Sequence, residues 1–196
     1  WSFTTGVIPT SNFEINRFVD GTDAATGISS SIDYTHLVDI NADADTAIIG
    51  GVEFDNTLAD YTLDGVTLSL SNNPNNGGAP GSGISNLLDN FRFGGNPSTL
   101  ILSGLTPGQT YKLRIYVSGW VGQKLSISFD NTEPATLVTG LDRGAGQGFP
   151  SSFDYTFSLR EGDTDLRVTV TPDTGLHTFH WYGFSNEIVN TNTYAD

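Results

Sequence analysis

Apolar residues recur at every second position along most of the chain. In "TYKLRIYVS", Tyr111, Leu113, Ile115 and Val117 fall on one side and Lys112, Arg114 and Tyr116 on the other. "KLSISFD" alternates Leu125, Ile127 and Phe129 with small polar residues. "FDYTFSL" aligns Phe153, Tyr155, Phe157 and Leu159, and "DLRVTVT" aligns Leu166, Val168 and Val170. A period of two with one apolar side predicts half-buried antiparallel strands. Further strands are expected over 13–19, 47–54, 61–70 and 99–103, and one short helix over "ISNLLDNF", 84–91. Three turn-rich segments interrupt the pattern: "GTDAATGISSS" (21–31), "SNNPNNGGAPGSG" (71–83) and "DRGAGQGFPSS" (142–152). Roughly ten short strands between turn clusters predict an all-β fold, an antiparallel β-sandwich of jelly-roll type. Residues 1–196 are expected to form one such domain, with extended segments at 1–12 and 188–196 available for strand pairing.

Composition sharpens this picture. Twenty-three Gly and eight Pro supply the turns, and 22 acids against eight Lys and Arg give a net charge of −14. Such a surface repels phosphate backbones, which excludes nucleic acid as a partner, and disfavours anionic membranes. Carboxylates in excess are compatible with divalent cations. Cysteine is absent, so disulfides, zinc thiolates and thiol nucleophiles play no part. Methionine is absent too, and the chain begins at Trp1, which points to a processed product whose signal peptide has been removed. No apolar run reaches the ~20 residues of a membrane helix. The expectation is an extracellular protein, secreted or at the cell surface, of bacterial origin.

"HTFHWYGFSNE" (177–187) holds two of the three histidines. On a regular strand, residues at odd separation face opposite ways, so His177 and His180 are not expected to share a metal. The aromatic neighbours on both faces predict a strand buried on two sides, with core histidines, His36 among them, bonded to their neighbours.

"YTHLVDI", "SGLTPGQTYKLRIYVSGW" and "FHWYGFSNE" together resemble jelly-roll modules of secreted environmental-bacterial proteins. The resemblance covers residues 31 to 188 and implies a fold rather than an activity. Modules of that kind are mostly unassigned or carbohydrate-binding. Within the middle motif, Pro107-Gly108 suits a tight turn and Tyr111 the position of a tyrosine corner.

"DINADADT" places Asp39, Asn41, Asp43 and Asp45 at every second residue, as oxygen ligands are spaced at the front of a calcium loop. An EF-hand needs Gly at position six and Glu at twelve, where this chain has Ala44 and Gly50. That leaves a looser calcium (Ca2+) site or a solvated acidic loop. "GAGQG" has no helix behind it to present amides to phosphate. No nucleophile elbow appears, the histidines do not suggest a triad, and nothing marks a particular pair among the carboxylates, so no enzyme is predicted. Trp120, in the Gly-flanked "VSGWVGQ", is a sugar-stacking candidate with Tyr116 on the preceding strand. The competing reading has Trp120 folded back over the core.

The ends carry strand-favouring residues, with Trp1, Phe3, Val7 and Ile8 as candidates for self-assembly. Edge strands are commonly protected by lysine, and the two lysines here, Lys112 and Lys124, fall in expected interior strands. Two functions follow as expectations. The first is a non-catalytic structural subunit that pairs with copies of itself through strands, as a filament or surface layer. The alternative is a carbohydrate-binding module of a secreted polysaccharide-active protein.

Overall fold

The computed structural model describes residues 12–40, 46–55, 60–67, 70–119, 124–132, 135–142, 149–173 and 177–189. Fifteen strands are present among them: β1 (Asn12–Arg17), β2 (Tyr34–Asp39), β3 (Ala47–Ile49), β4 (Val52–Phe54), β5 (Tyr61–Asp64), β6 (Leu70–Asn72), β7 (Asn90–Phe93), β8 (Ser98–Leu102), β9 (Thr110–Ser118), β10 (Lys124–Asp130), β11 (Thr136–Asp142), β12 (Pro150–Ser158), β13 (Leu166–Pro172), β14 (His180–Trp181) and β15 (Gly183–Ile188). A short helix, α1 (Gly83–Leu87), precedes β7, and a 3-10 turn covers Asp23–Thr26.

Two five-stranded antiparallel sheets make a β-sandwich. One has the order β1-β12-β9-β15-β2, the other β11-β10-β13-β8-β5. From β8 to β15 the chain passes repeatedly from one sheet to the other, as a jelly roll requires. The alternating apolar sides predicted from sequence meet in the middle. Leu113, Ile115 and Val117 of β9 and Phe153, Tyr155 and Phe157 of β12 pack against Ile127 and Phe129 of β10 and Val168 and Val170 of β13. Phe129 stacks on Tyr155 with ring centroids 3.7 Å apart. Thr106 donates its backbone N–H to the Tyr111 hydroxyl at 2.8 Å, so Tyr111 ties its strand to the turn before it, as expected of a tyrosine corner.

A second core lies on the opposite, outer face of the first sheet. There the β3–β4 hairpin and α1 bring Ile49, Phe54, Ile84 and Leu87 against Tyr116 of β9 and Tyr182. The carboxylate of Asp23 caps α1, accepting from the backbone N–H groups of Gly83 at 3.1 Å and Ile84 at 2.9 Å. Gly183 permits the close docking, because a Cβ there would lie 2.6 Å from Leu87 Cδ1 and from the Val38 carbonyl.

Several expected elements divide. The single strand read over 47–54 is a hairpin, because Gly50 and Gly51 both take positive φ, 57° and 78°, as a two-residue turn demands. The run 61–70 breaks at Gly65, φ 76°, into β5 and the start of β6. The expected helix over 84–91 ends at Leu87, and Asn90–Phe93 turns into a strand. The terminal aromatic run also splits. β14 pairs with β7, while β15 enters the first sheet between β9 and β2. His177 lies exposed ahead of both strands, so the two histidines do not share a strand as expected. His180 is buried and stacks on Phe91 with centroids 4.1 Å apart.

Candidate functional site

The described residues cover the outer face of the first sheet over only part of its area. Strand register arranges its side chains in rows. Asn16, Ser152, Tyr116 and Gly183 form one row across β1, β12, β9 and β15. Glu14, Asp154, Arg114 and Ser185 form the next, and Thr156, Lys112, Glu187 and Tyr34 the one beyond. The β9 end of the first row runs under the second core, while Asn16 on β1 lies at its margin. Tyr116 is 0% exposed, with Phe54 edge-on at 5.7 Å and Phe18 at 6.3 Å. Towards the third row the face opens, with Glu14 exposed and Asn16, Thr156 and Lys112 half-buried.

Charge concentrates at the boundary between the covered and open parts. The Arg114 guanidinium donates to both carboxylate oxygens of Glu187, Nη1 to Oε2 at 2.5 Å and Nη2 to Oε1 at 3.2 Å. Its Nε lies 3.4 Å from Asp154 Oδ2, and Lys112 Nζ lies 2.9 Å from the same oxygen. Asn16 Nδ2 donates to that oxygen at 2.8 Å, and the Ser152 hydroxyl donates to Oδ1 at 2.5 Å. Asp154 is therefore held by four side chains, and Glu187 by a two-pronged arginine. Burial works against the Arg114 charge, but the Glu187 hydrogen bonds and the Asp154 charge outweigh it and leave the guanidinium above its ordinary pKa. Burial raises the Tyr116 phenol far above its usual range, and that hydroxyl meets Ser185 Oγ at 3.2 Å. Tyr34 is raised as well, chiefly by burial, and its hydroxyl accepts from the Ser29 N–H at 3.1 Å.

This arrangement holds side chains still. Both buried carboxylates are saturated by cations and hydrogen-bond donors, so neither is placed as a general acid or base. What reaches solvent is a fixed set of donors and acceptors: the Lys112 amine, the Asn16 amide, the Thr156 hydroxyl and the Glu14 carboxylate.

A concave feature lies in the 71–83 loop. An open depression of about 430 Å³ is bordered by Pro74, Asn75, Gly77, Gly78, Pro80 and Ser85, with Asn76 at its base. Despite its composition the loop is anchored. Asn76 Nδ2 donates to Ser85 O at 2.8 Å and Asp89 Oδ1 at 2.7 Å, its Oδ1 accepts from Gly78 N at 2.8 Å, and Ala79 N donates to Gly21 O at 2.8 Å.

The residues singled out from sequence fare differently. Tyr116 was expected to offer a sugar-stacking surface and does not. It points to the outer face, but the hairpin and α1 bury it completely, so no ligand reaches its ring. Asp39 is 3% exposed at the end of β2, opposite Gly183. Its proposed calcium partners Asn41, Asp43 and Asp45 lie outside the described residues, as do Trp120 and the self-assembly candidates Trp1, Phe3, Val7 and Ile8. Among the described residues no three His, Cys, Asp or Glu side chains gather as a metal site. No helix among them is long and apolar enough to cross a membrane. Sequence reasoning placed Lys112, Arg114 and Tyr116 on one side of β9 but missed their partners. The available signal was two cations two residues apart on a central strand, in a chain with only eight.

No family model matches the chain, and neither does any curated protein. Among solved structures, the CBM22-1 and GH10 modules of Clostridium thermocellum endo-1,4-beta-D-xylanase 10B, complexed with xylohexaose, match at 14% identity with a TM-score of 0.42. The match covers 84% of this chain and 30% of that one. A complex of the plant peptide RALF23 with FER and LLG2 matches at 10% identity and TM-score 0.43, over 82% of this chain and 40% of that one. The enzymatically active domain of bacteriophage CBA120 tailspike protein 4 matches at 10% identity and TM-score 0.36, over 66% of this chain and 19% of that one.

Proposed function

We propose that the chain is a non-catalytic carbohydrate-binding module of a secreted polysaccharide-active protein, and that it binds through the open part of the first sheet's outer face. The observation that carries this reading is the Lys112–Asp154–Asn16 network. It fixes donors and acceptors on a broad, half-open β-surface, as recognition of hydroxyl-rich chains requires, and engages both buried carboxylates, Asp154 and Glu187, in ion pairs. Preorganised polar side chains on a rigid scaffold lose little entropy on binding. The test is retention of purified protein on insoluble polysaccharides. Lys112→Ala and Asn16→Ala are expected to lose retention; each also removes one of several partners of the buried Asp154, so each is expected to stay folded but to melt below the parent, and circular dichroism checks the fold of both. Retention unchanged in both variants would move the site elsewhere, and an intact protein that binds no polysaccharide would end the reading.

Self-association is the second reading, and the open side of the sandwich favours it. Phe13 of β1 meets Phe129 of β10 at 6.0 Å, so β1 and the neighbouring β11 border the same side. Four exposed large apolar side chains, Ile15, Val19, Leu137 and Phe149, lie on or beside these two strands, and neither strand carries a lysine. It ranks second because β1 already pairs along its length with β12 of the same chain. Sedimentation at high concentration decides it: a monomer removes self-assembly and leaves the binding module.

A further inference from the structure

Resting on the carbohydrate-binding reading, we infer that the site selects uncharged polysaccharide and turns away acidic glycans such as polyuronates. The rows of the outer face carry two cations, Lys112 and Arg114, against three carboxylates, Glu14, Asp154 and Glu187. Both cations are already engaged: Lys112 with Asp154 at 2.9 Å, and Arg114 with Asp154 and, through two hydrogen bonds, with Glu187. Among the described residues of these rows, a uronate carboxylate finds no unpaired cation. To take Lys112 it would have to compete with a carboxylate whose side chain is 3% exposed, and stripping a partner from a buried charge is strongly unfavourable.

Glu14 adds repulsion. It stands exposed on the same row as Asp154, one strand away, and no ion pair to it is present among the described residues. Arg17, the other charged residue of β1, alternates to the opposite face. The chain as a whole carries −14, so anionic polymers are repelled before contact as well. A hydroxyl, by contrast, can donate to Glu14 and accept one of the Lys112 protons not used by Asp154. The loop depression agrees with this selection, since every residue bordering it is uncharged.

The experiment is affinity electrophoresis of the full chain in gels containing neutral arabinoxylan, mannan or β-glucan, and in matched gels containing polygalacturonate or alginate. Glu14→Lys is run alongside; its exposed position keeps folding out of the comparison. The expected result is retardation of the parent by at least one neutral polymer and by neither acidic one. Glu14→Lys is expected to gain roughly tenfold in affinity for polygalacturonate, a gain that fades with added salt. Retardation of the parent by an acidic polymer as strongly as by any neutral one overturns the selectivity while leaving the module reading in place. A Glu14→Lys protein still indifferent to polygalacturonate overturns the electrostatic basis. A parent that no polymer retards removes the module reading and the inference with it.

Discussion

Arg114→Leu tests whether the charged network holds the sheet together. The substitution keeps an apolar stem at a position 7% exposed and removes the cation that touches both Asp154 and Glu187. Asp154 keeps Lys112, Asn16 and Ser152, but Glu187 loses both guanidinium hydrogen bonds while 8% exposed. Breaking a buried pair by removing one partner costs about 3–5 kcal/mol. For a chain of this size each kcal/mol moves the midpoint by roughly 2–4 °C, which places the expected fall in Tm at roughly 6–20 °C. Urea unfolding followed by tryptophan fluorescence at pH 7 gives the free energy directly. A gap below about 1 kcal/mol would refute the claim that this network bears on stability.

Tyr116→Phe should cost about 0.5–1.5 kcal/mol through loss of its bond to Ser185, and Tyr116→Ala about 3–5 kcal/mol through the cavity left under Phe54, neither change altering polysaccharide retention. Denaturant midpoints together with a retention assay check both. Gly183→Ala should lower the melting temperature by several degrees, because its Cβ would press on Leu87 and the Val38 carbonyl. Burial lowers the His36 pKa in the fold, so the unfolded chain takes up the proton first. Stability should be full above the unfolded value of about 6.5 and decline as pH falls below it, and His36→Gln should flatten that decline in a thermal-melt series. Calcium in place of chelator should raise the melting temperature if Asp39, Asn41, Asp43 and Asp45 form a site, and identical curves would dismiss it.

How far sequence carried the structure depends on which face of a strand is read. The inner faces of β9, β10, β12 and β13 were legible because their apolar residues alternate strictly and one sheet simply covers the other. Turns were legible where Gly or Pro follows a familiar pattern, as at Pro107-Gly108, where Gly108 takes a φ of 79° and Gln109 N returns to Thr106 O at 3.2 Å. They were missed where a turn lay within an apolar run, as at Gly50-Gly51. β11 was missed entirely, since "TLVTGLD" contains a glycine and belongs to an edge strand whose Leu137 faces solvent. Period two marks single strands but carries nothing about which carboxylate comes to lie beside which cation. Arg114 and Glu187 are 73 positions apart.

The outer face of β9 shows why the candidate site was the least legible part. Its residues Lys112, Arg114 and Tyr116 alternate with the core like any solvated strand, and the natural expectation is an exposed polar face. The second core changes their environment in steps along one strand. Tyr116 is sealed beneath Phe54 and Phe18, Arg114 is buried but paired, and Lys112 reaches solvent with its side chain 25% exposed. The layer that covers Tyr116 is assembled from α1 and the β3–β4 hairpin, elements 29 to 69 residues upstream whose docking depends on the missing side chain of Gly183. The same docking removes Tyr116 as a ligand platform and leaves the polar groups beyond Arg114 open. A perturbation that loosens the layer, such as Gly183→Ala, should therefore act first on stability, whereas the recognition assigned to Lys112, Asn16 and Glu14 depends on the part of the sheet, at β1 and the start of β9, that the layer leaves uncovered.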